Sequence, residues 1–151
     1  RLKMTNLWCS RLELPDFHFM HMMSTETERL EWKAQGLPGD DLSAENSIII
    51  TKSTLYPLII DPSTQASKWL TNYLTALQCP VEVTTQQDAK FIQKLELSVR
   101  FGKTLVIQEV GDLEPLIIPL LRRDLIKQGA RNVVHIGEKL IDFSEQFKLF
   151  L

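Results

Sequence analysis

From Pro57 onward the chain alternates short apolar runs with amphipathic stretches. Leu58, Ile59 and Ile60 make the kind of run expected of a buried parallel strand. Behind them Ala66, Trp69, Leu70, Tyr73, Leu74 and Leu77 recur at i, i+3, i+4, i+7, i+8 and i+11, which is one face of a helix. That helix runs to about Gln78 and is stopped by Pro80. Val81–Thr85 predicts a second strand. Asp88 is placed to cap a helix carrying Phe91, Ile92, Leu95 and Val99, and Gly102 stands where a C-terminal glycine belongs. Thr104–Val110 predicts a third strand. Pro115 is placed like a first-turn proline, and Leu116, Ile117, Leu120, Leu121 and Leu125 predict a helix continuing to Gly129. Val133–Ile136 and Lys139–Phe143 flank Gly137-Glu138, a hairpin with a type II′ turn. Phe147–Leu151 predicts a fourth core strand. Strands alternating with helices predict an α/β fold, a parallel sheet covered by helices.

The residues before Pro57 are less regular. Thr25-x-x-Glu28 is a capping box, predicting a helix to Gln35 that Gly36-Leu-Pro38 closes. Asp40–Asn46 opens a further helix that runs into Ile48, Ile49 and Ile50. We divide the chain into a helical lead-in, 1–38, and an α/β core, 39–151. The chain starts at Arg1 and stops within the predicted strand Phe147–Leu151. An uncovered apolar strand end invites aggregation, so the expectation is a fragment of a longer protein.

Composition narrows the function classes. With 151 residues and 44% hydrophobic content, a sizeable core is available. The net charge of −2 and the absence of a basic stripe give nucleic-acid binding no electrostatic support. Cys9 and Cys79 are far apart and lack C-x-x-C spacing, so neither a disulfide framework nor a zinc site is expected, and reduced thiols in the cytosol are. No apolar run reaches membrane-spanning length and no signal-peptide pattern is present, so no membrane partner is expected.

The strand–loop–helix from Tyr56 to Leu70 resembles a phosphate-binding junction without its chemistry. A P-loop needs G-x-x-x-x-G-K-[ST] there. Asp61 to Lys68 fills that frame, but Asp61 and Ala66 stand at the two glycines, Ser67 stands at the lysine, and Lys68 falls one place late. Gly102-Lys-Thr104 fails as an alternative, because its first glycine would fall at Leu97 and because it precedes a strand. Leu105-Val-Ile-Gln-Glu109 has the form of a Walker B strand in which Gln108 replaces the magnesium-binding aspartate and Glu109 remains. A neutral amide is a far poorer magnesium ligand than a carboxylate. Taken alone this is a strand with a polar end; following the Asp61–Lys68 frame, it becomes the second altered motif in the right order. Arg122 and Arg123 on an otherwise apolar helix read as a solvated or interface charge cluster, with an arginine finger as the rival. His18 and His21, beside Met20, Met22 and Met23, lack further ligands for a metal, and His135 has no acid–base partner in sequence. No catalytic residue, bound cofactor or metal site is expected in this chain.

These residues resemble a family. Trp32–Pro38, Asp40–Asn46 and Pro57–Trp69, then Leu95–Glu109, Pro119–Asp124 and the hairpin Asn132–Asp142, are similar to the fifth AAA+ module of dynein heavy chains. The likeness covers nearly the whole chain. Gly102–Glu109 together with Leu120–Gly129 looks most like the intraflagellar-transport branch of that family. The resemblance implies an AAA+, P-loop-NTPase-like parallel sheet flanked by helices, with the hairpin as an insert, cut before the sensor-1 residue and the strut. It implies a place in an ATP-driven, minus-end-directed microtubule motor in which ATP and magnesium are used in other modules. Asp61, Ala66, Ser67 and Lys68 would then be a degenerate Walker A, and Gln108 with Glu109 a degenerate Walker B. Partners would be the neighbouring AAA+ modules, the stalk and strut, dynein accessory chains and, through the parent, the microtubule. The location would be cytoplasmic, on the cytoskeleton, cilium or axoneme.

Three functions stay open at this point. The first is a silent module that relays force. The second is a regulatory module that binds ATP or ADP through Lys68 or Lys103 and the helix amides after Pro62. The third is a free-standing adaptor.

Overall fold

The computed structural model describes residues 2–13 and 18–151. The chain forms two compact units, Arg1–Ser53 with Ser63–Tyr73, and Thr54–Pro62 with Leu74–Leu151.

The first unit is helical: α1 (Leu2–Leu12), α2 (Phe19–Met23), α3 (Glu26–Ala34), α4 (Asp41–Lys52) and the start of α5 (Gln65–Ala76). The capping box forms as its sequence predicts. The Glu28 amide donates to Thr25 Oγ1 at 3.2 Å and the Thr25 amide donates to Glu28 Oε2 at 2.7 Å. Asp40 caps α4 by accepting from the Ser43 amide at 2.8 Å and the Ser43 hydroxyl at 2.7 Å. Arg29 closes the end of α2 by donating to the carbonyl of Ser24 at 3.1 Å. Trp32, Ile48, Trp69 and Leu70 are buried, with Trp69 edge-on to Trp32 and stacked on Tyr73.

The second unit holds two sheets. Strands β1 (Val81–Thr85), β2 (Thr104–Gln108) and β6 (Lys148–Phe150) form a parallel sheet in the order β1-β2-β6. Strands β3 (Ile126–Gln128), β4 (Arg131–Ile136) and β5 (Lys139–Asp142) form an antiparallel one. Helix α6 (Phe91–Phe101) packs on β1, β2 and β5, and the short α7 (Ile118–Arg122) packs on β4. The core between them contains Phe91, Leu95, Val99, Leu105, Ile107 and Leu149. The hairpin turn forms as predicted, with Gly137 at φ 61 in its first central position. Gly102 ends α6 in the left-handed region, at φ 68 and ψ 29.

Four expectations need correction. Leu58–Ile60 is no buried regular strand: Leu58 is 64% and Ile60 88% exposed. Its backbone still lies parallel to the last strand, because the Leu151 amide donates to Pro57 O at 3.1 Å and the Ile59 amide to Leu151 O at 2.7 Å. The helix expected to run from Pro115 to Gly129 is a 3₁₀ turn (Pro115–Ile117) followed by α7, which ends at Arg122. Pro119 has no amide to donate and fits only a first turn, and pairing of Ile126–Gln128 with β4 overrides the remaining helical period. Asp88 caps the turn before α6, accepting from the Lys90 amide at 2.9 Å, so that Lys90 is the capping position. Ile92 points out of the core at 47% exposure, one residue off the face defined by Phe91, Leu95 and Val99.

Three carboxylates, exposed Asp40 and half-buried Glu28 and Asp88, are held below their ordinary values. Asp40 is lowered chiefly by the Ser43 side chain, Asp88 by the Lys90 amide, and Glu28 by the Thr25 amide. A carboxylate lowered on folding adds stability above its unfolded pKa and loses it as pH falls through its folded one. Stability should therefore hold at neutral pH and decline on the acid side of the ordinary values, 4.5 for Glu and 3.8 for Asp. Urea unfolding followed across pH is expected to show that decline, flattened in Asp40→Asn and Asp88→Asn. An unchanged acid slope in both variants would assign the decline to other groups.

Candidate functional site

In open α/β sheets, ligands gather at the carboxyl ends of the parallel strands. Two altered motifs meet that edge in the second unit. Asp61, half-buried, follows the segment that runs parallel to β6, and Gln108 ends β2. Within β2, Leu105 and Ile107 are buried while Gln108 is exposed, so the strand delivers its amide out of the core. Glu109 lies just past the strand, exposed, at φ 54. A left-handed, non-glycine residue directly after the strand turns the chain away.

The rest of the first frame belongs to the first unit. Helix α5 opens at Gln65, and the Lys68 amide donates to Thr64 O at 3.2 Å, so Lys68 already lies inside the helical ladder. Ala66 and Ser67 are half-buried and Lys68 is exposed. Asp61 and Ala66, at the two glycine places, both have ordinary negative φ, whereas Thr64 takes φ 60. In this loop the positive φ falls at a β-branched residue, and neither Asp61 nor Ala66 holds a backbone conformation that calls for glycine.

Lys103 stands at the opposite edge. It precedes β2, five residues from Gln108, a separation of about 16 Å along an extended strand. Thr104 is buried and its amide donates to Pro80 O at 2.9 Å, so Gly102-Lys-Thr104 is a helix end leading into a strand, as its context predicts. Lys103 and Gln108 thus lie at opposite ends of β2.

His18 and His21 are exposed neighbours with ring centroids 5.3 Å apart, and His135 is exposed on β4. Among the described residues no group of three or more His, Cys, Asp or Glu comes together as a metal site. Cys9 and Cys79 are both free thiols. Arg122 is exposed, and Arg123 lies over the ring of Tyr56 at 5.1 Å. Sequence reasoning missed that contact, and it also missed Gln86, whose Oε1 accepts from the Glu114 amide at 3.1 Å beyond β1. Both join residues distant in sequence, so no local pattern announces them.

A parallel sheet flanked by helices is an α/β architecture consistent with an AAA+ fold. Residues 30–151 match the family described as the ATP-binding dynein motor region, and the chain belongs to that family. It is 53% identical over its whole length to cytoplasmic dynein 2 heavy chain 1 of Chlamydomonas reinhardtii. It is 51% identical over 95% of its length to the human protein of that name, and 37% identical over 94% to the cytoplasmic dynein heavy chain of Dictyostelium discoideum. The chain spans only 4% of the length of the algal relative and 3% of the other two.

Proposed function

We propose that this chain is a catalytically silent AAA+ module, fifth in the ring of a dynein heavy chain of the cytoplasmic dynein 2 type, and that it relays force without hydrolysing ATP. The observation that carries this reading is the altered Asp61–Lys68 loop. Asp61 puts a carboxylate at the first glycine place of the frame, neither glycine place takes a φ that calls for glycine, and Lys68 lies within α5. Gln108 removes the matching magnesium ligand on β2. A module without its own nucleotide cycle stays closed while its neighbours cycle, and a rigid α/β body then passes strain between them. ATP and magnesium would act in other modules of the parent, whose partners would be adjoining AAA+ modules, stalk, strut, accessory chains and the microtubule. The similarity to dynein 2 chains supports a role in retrograde intraflagellar transport, in the cytoplasm and cilium.

Titration with fluorescently labelled ATP and ADP, with and without magnesium, tests this. No saturable binding is expected up to about 1 mM, a free energy of about −4 kcal/mol. Magnesium-dependent binding that disappears in Lys68→Ala would replace this reading with a regulatory nucleotide-binding module.

A further inference from the structure

Asp88 is a hub in the turn between β1 and α6. Its Oδ1 accepts from the Lys90 amide at 2.9 Å. Its Oδ2 meets the Lys94 ammonium at 3.0 Å and accepts from the hydroxyl of buried Thr84 at 3.4 Å. Lys94 reaches from α6 to Glu82 of β1 as well, at 3.4 Å. The Asp88 amide donates to Thr85 O at 3.2 Å, and the Phe91 amide donates to Asp88 O at 2.8 Å. A partly exposed ion pair contributes little alone, but this one shares its carboxylate with an amide and a hydroxyl of the same turn. The turn is therefore fastened to both β1 and α6.

Gln86 stands on that turn. Its Oε1 accepts from the Glu114 amide at 3.1 Å, across 28 residues of chain. Strands β1 and β2 are parallel and end together, Thr85 beside Gln108, so the turn and the loop after β2 leave the sheet at the same edge. Glu114 precedes the 3₁₀ turn, and its carbonyl accepts from the amide of buried Ile117 at 3.0 Å. Val110 and Leu116 pack against the same core, while Gly111, Asp112 and Leu113 between them are exposed. The Gln86 Nε2 is buried with no hydrogen-bond partner among the described residues. A buried donor left unpaired costs more than a neutral hydrogen bond returns. Gln86 thus gives the loop a position without adding stability to the fold.

We propose that Gln86 is a positioning residue that couples the two loops at the carboxyl edge of the parallel sheet. The Asp88–Lys94 pair keeps the turn after β1 in place, and Gln86 carries that order across to Glu114 and the loop Glu109–Glu114. Lys94 thereby governs a loop to which it makes no ion pair of its own among the described residues. The inference does not rest on the module being silent. Contact alone does not establish such coupling; a double-mutant cycle does.

Residue-resolved amide hydrogen exchange and urea unfolding on the same variants test it. Gln86→Met should speed exchange at Glu114 about two- to tenfold, the loss of one neutral hydrogen bond, with Ile107 and Val134 unchanged. Its urea midpoint should equal or exceed the parent's, because the unpaired Nε2 goes as well. Lys94→Met should speed exchange at Glu114 about two- to fivefold. In a Gln86→Met background, Lys94→Met should add nothing at Glu114. The coupling is overturned if either single variant leaves Glu114 unchanged, if Lys94→Met acts equally in the Gln86→Met background, or if Ile107 and Val134 accelerate together with Glu114. A lowered urea midpoint in Gln86→Met would make Gln86 an ordinary stabilising contact and overturn its positioning role.

Discussion

Leu95→Ala is expected to destabilise the second unit by about 3 kcal/mol, within the range for a fully buried leucine. Leu95 is 0% exposed on the face of α6 that also carries Phe91 and Val99. The core around it draws Leu105 and Ile107 from β2, Val134 from β4, Ile141 from β5 and Leu149 from β6. Walls supplied by two separate sheets cannot all move inward to fill the space a truncated side chain leaves, so most of the cavity remains. Against a typical domain stability of about 5–15 kcal/mol, that loss is large. Urea denaturation followed by circular dichroism measures it. Leu97→Ala, on the same helix at 48% exposure, should stay within about 0.5 kcal/mol of the parent. Ile92→Ala should behave like Leu97→Ala, although its spacing suggests a core residue. A Leu95→Ala loss below about 1 kcal/mol would mean that this core is not packed as described.

Ile92 shows where pattern reading stops. Apolar residues at i, i+4 and i+8 locate the buried face of α6 correctly, but a fourth apolar residue beside that stripe is indistinguishable from a core residue until the partner sheet is known. The same holds for Pro115–Gly129. Its helical period is real as far as Arg122, and what ends it is a pairing: Ile126 opposite Val133 and Gln128 opposite Arg131. Strand pairing depends on a partner elsewhere in the chain, and β3 is three residues long with none of them buried, so no buried apolar alternation announces it. By contrast, the capping box at Thr25, the glycine end of α6 and the Gly137 turn were legible because each is decided by residues within a few positions of one another.

The altered motifs divide in the same way. That Asp61, Ala66, Ser67 and Gln108 depart from the phosphate- and magnesium-binding pattern is visible in one dimension. That the loop's positive φ falls at Thr64, and that Lys103 and Gln108 lie at opposite ends of β2, are properties of the backbone path. The contact of Arg123 with Tyr56 is of a third kind. An arginine beside another arginine reads as a charge cluster in sequence, and only the left-handed turn after α7 brings one of them over an aromatic ring.

Gly102→Ala is expected to cost about 2–3 kcal/mol, from backbone strain and overpacking together. Gly102 sits at φ 68, where an L side chain is strained. An added Cβ would also come within 2.5 Å of Ser144 Oγ and 3.0 Å of Gln146 Cβ. Ser144 has limited freedom to retreat, because its amide donates to Val99 O at 3.1 Å and its carbonyl accepts from the Phe147 amide at 3.0 Å. Displacing it would pull on the turn that leads from the hairpin into β6. The two causes are separable. Gly129 and Gly137 also have positive φ, at 63 and 61, with nothing within 4 Å of an added Cβ. Alanine at either should show the conformational strain alone, about 1 kcal/mol. Adding Ser144→Ala to Gly102→Ala removes the nearest clashing atom and should recover part of the remainder, while the Gln146 contact persists. If Gly102→Ala costs no more than Gly129→Ala, the close approach of the α6 end to Ser144 is not a constraint on this fold.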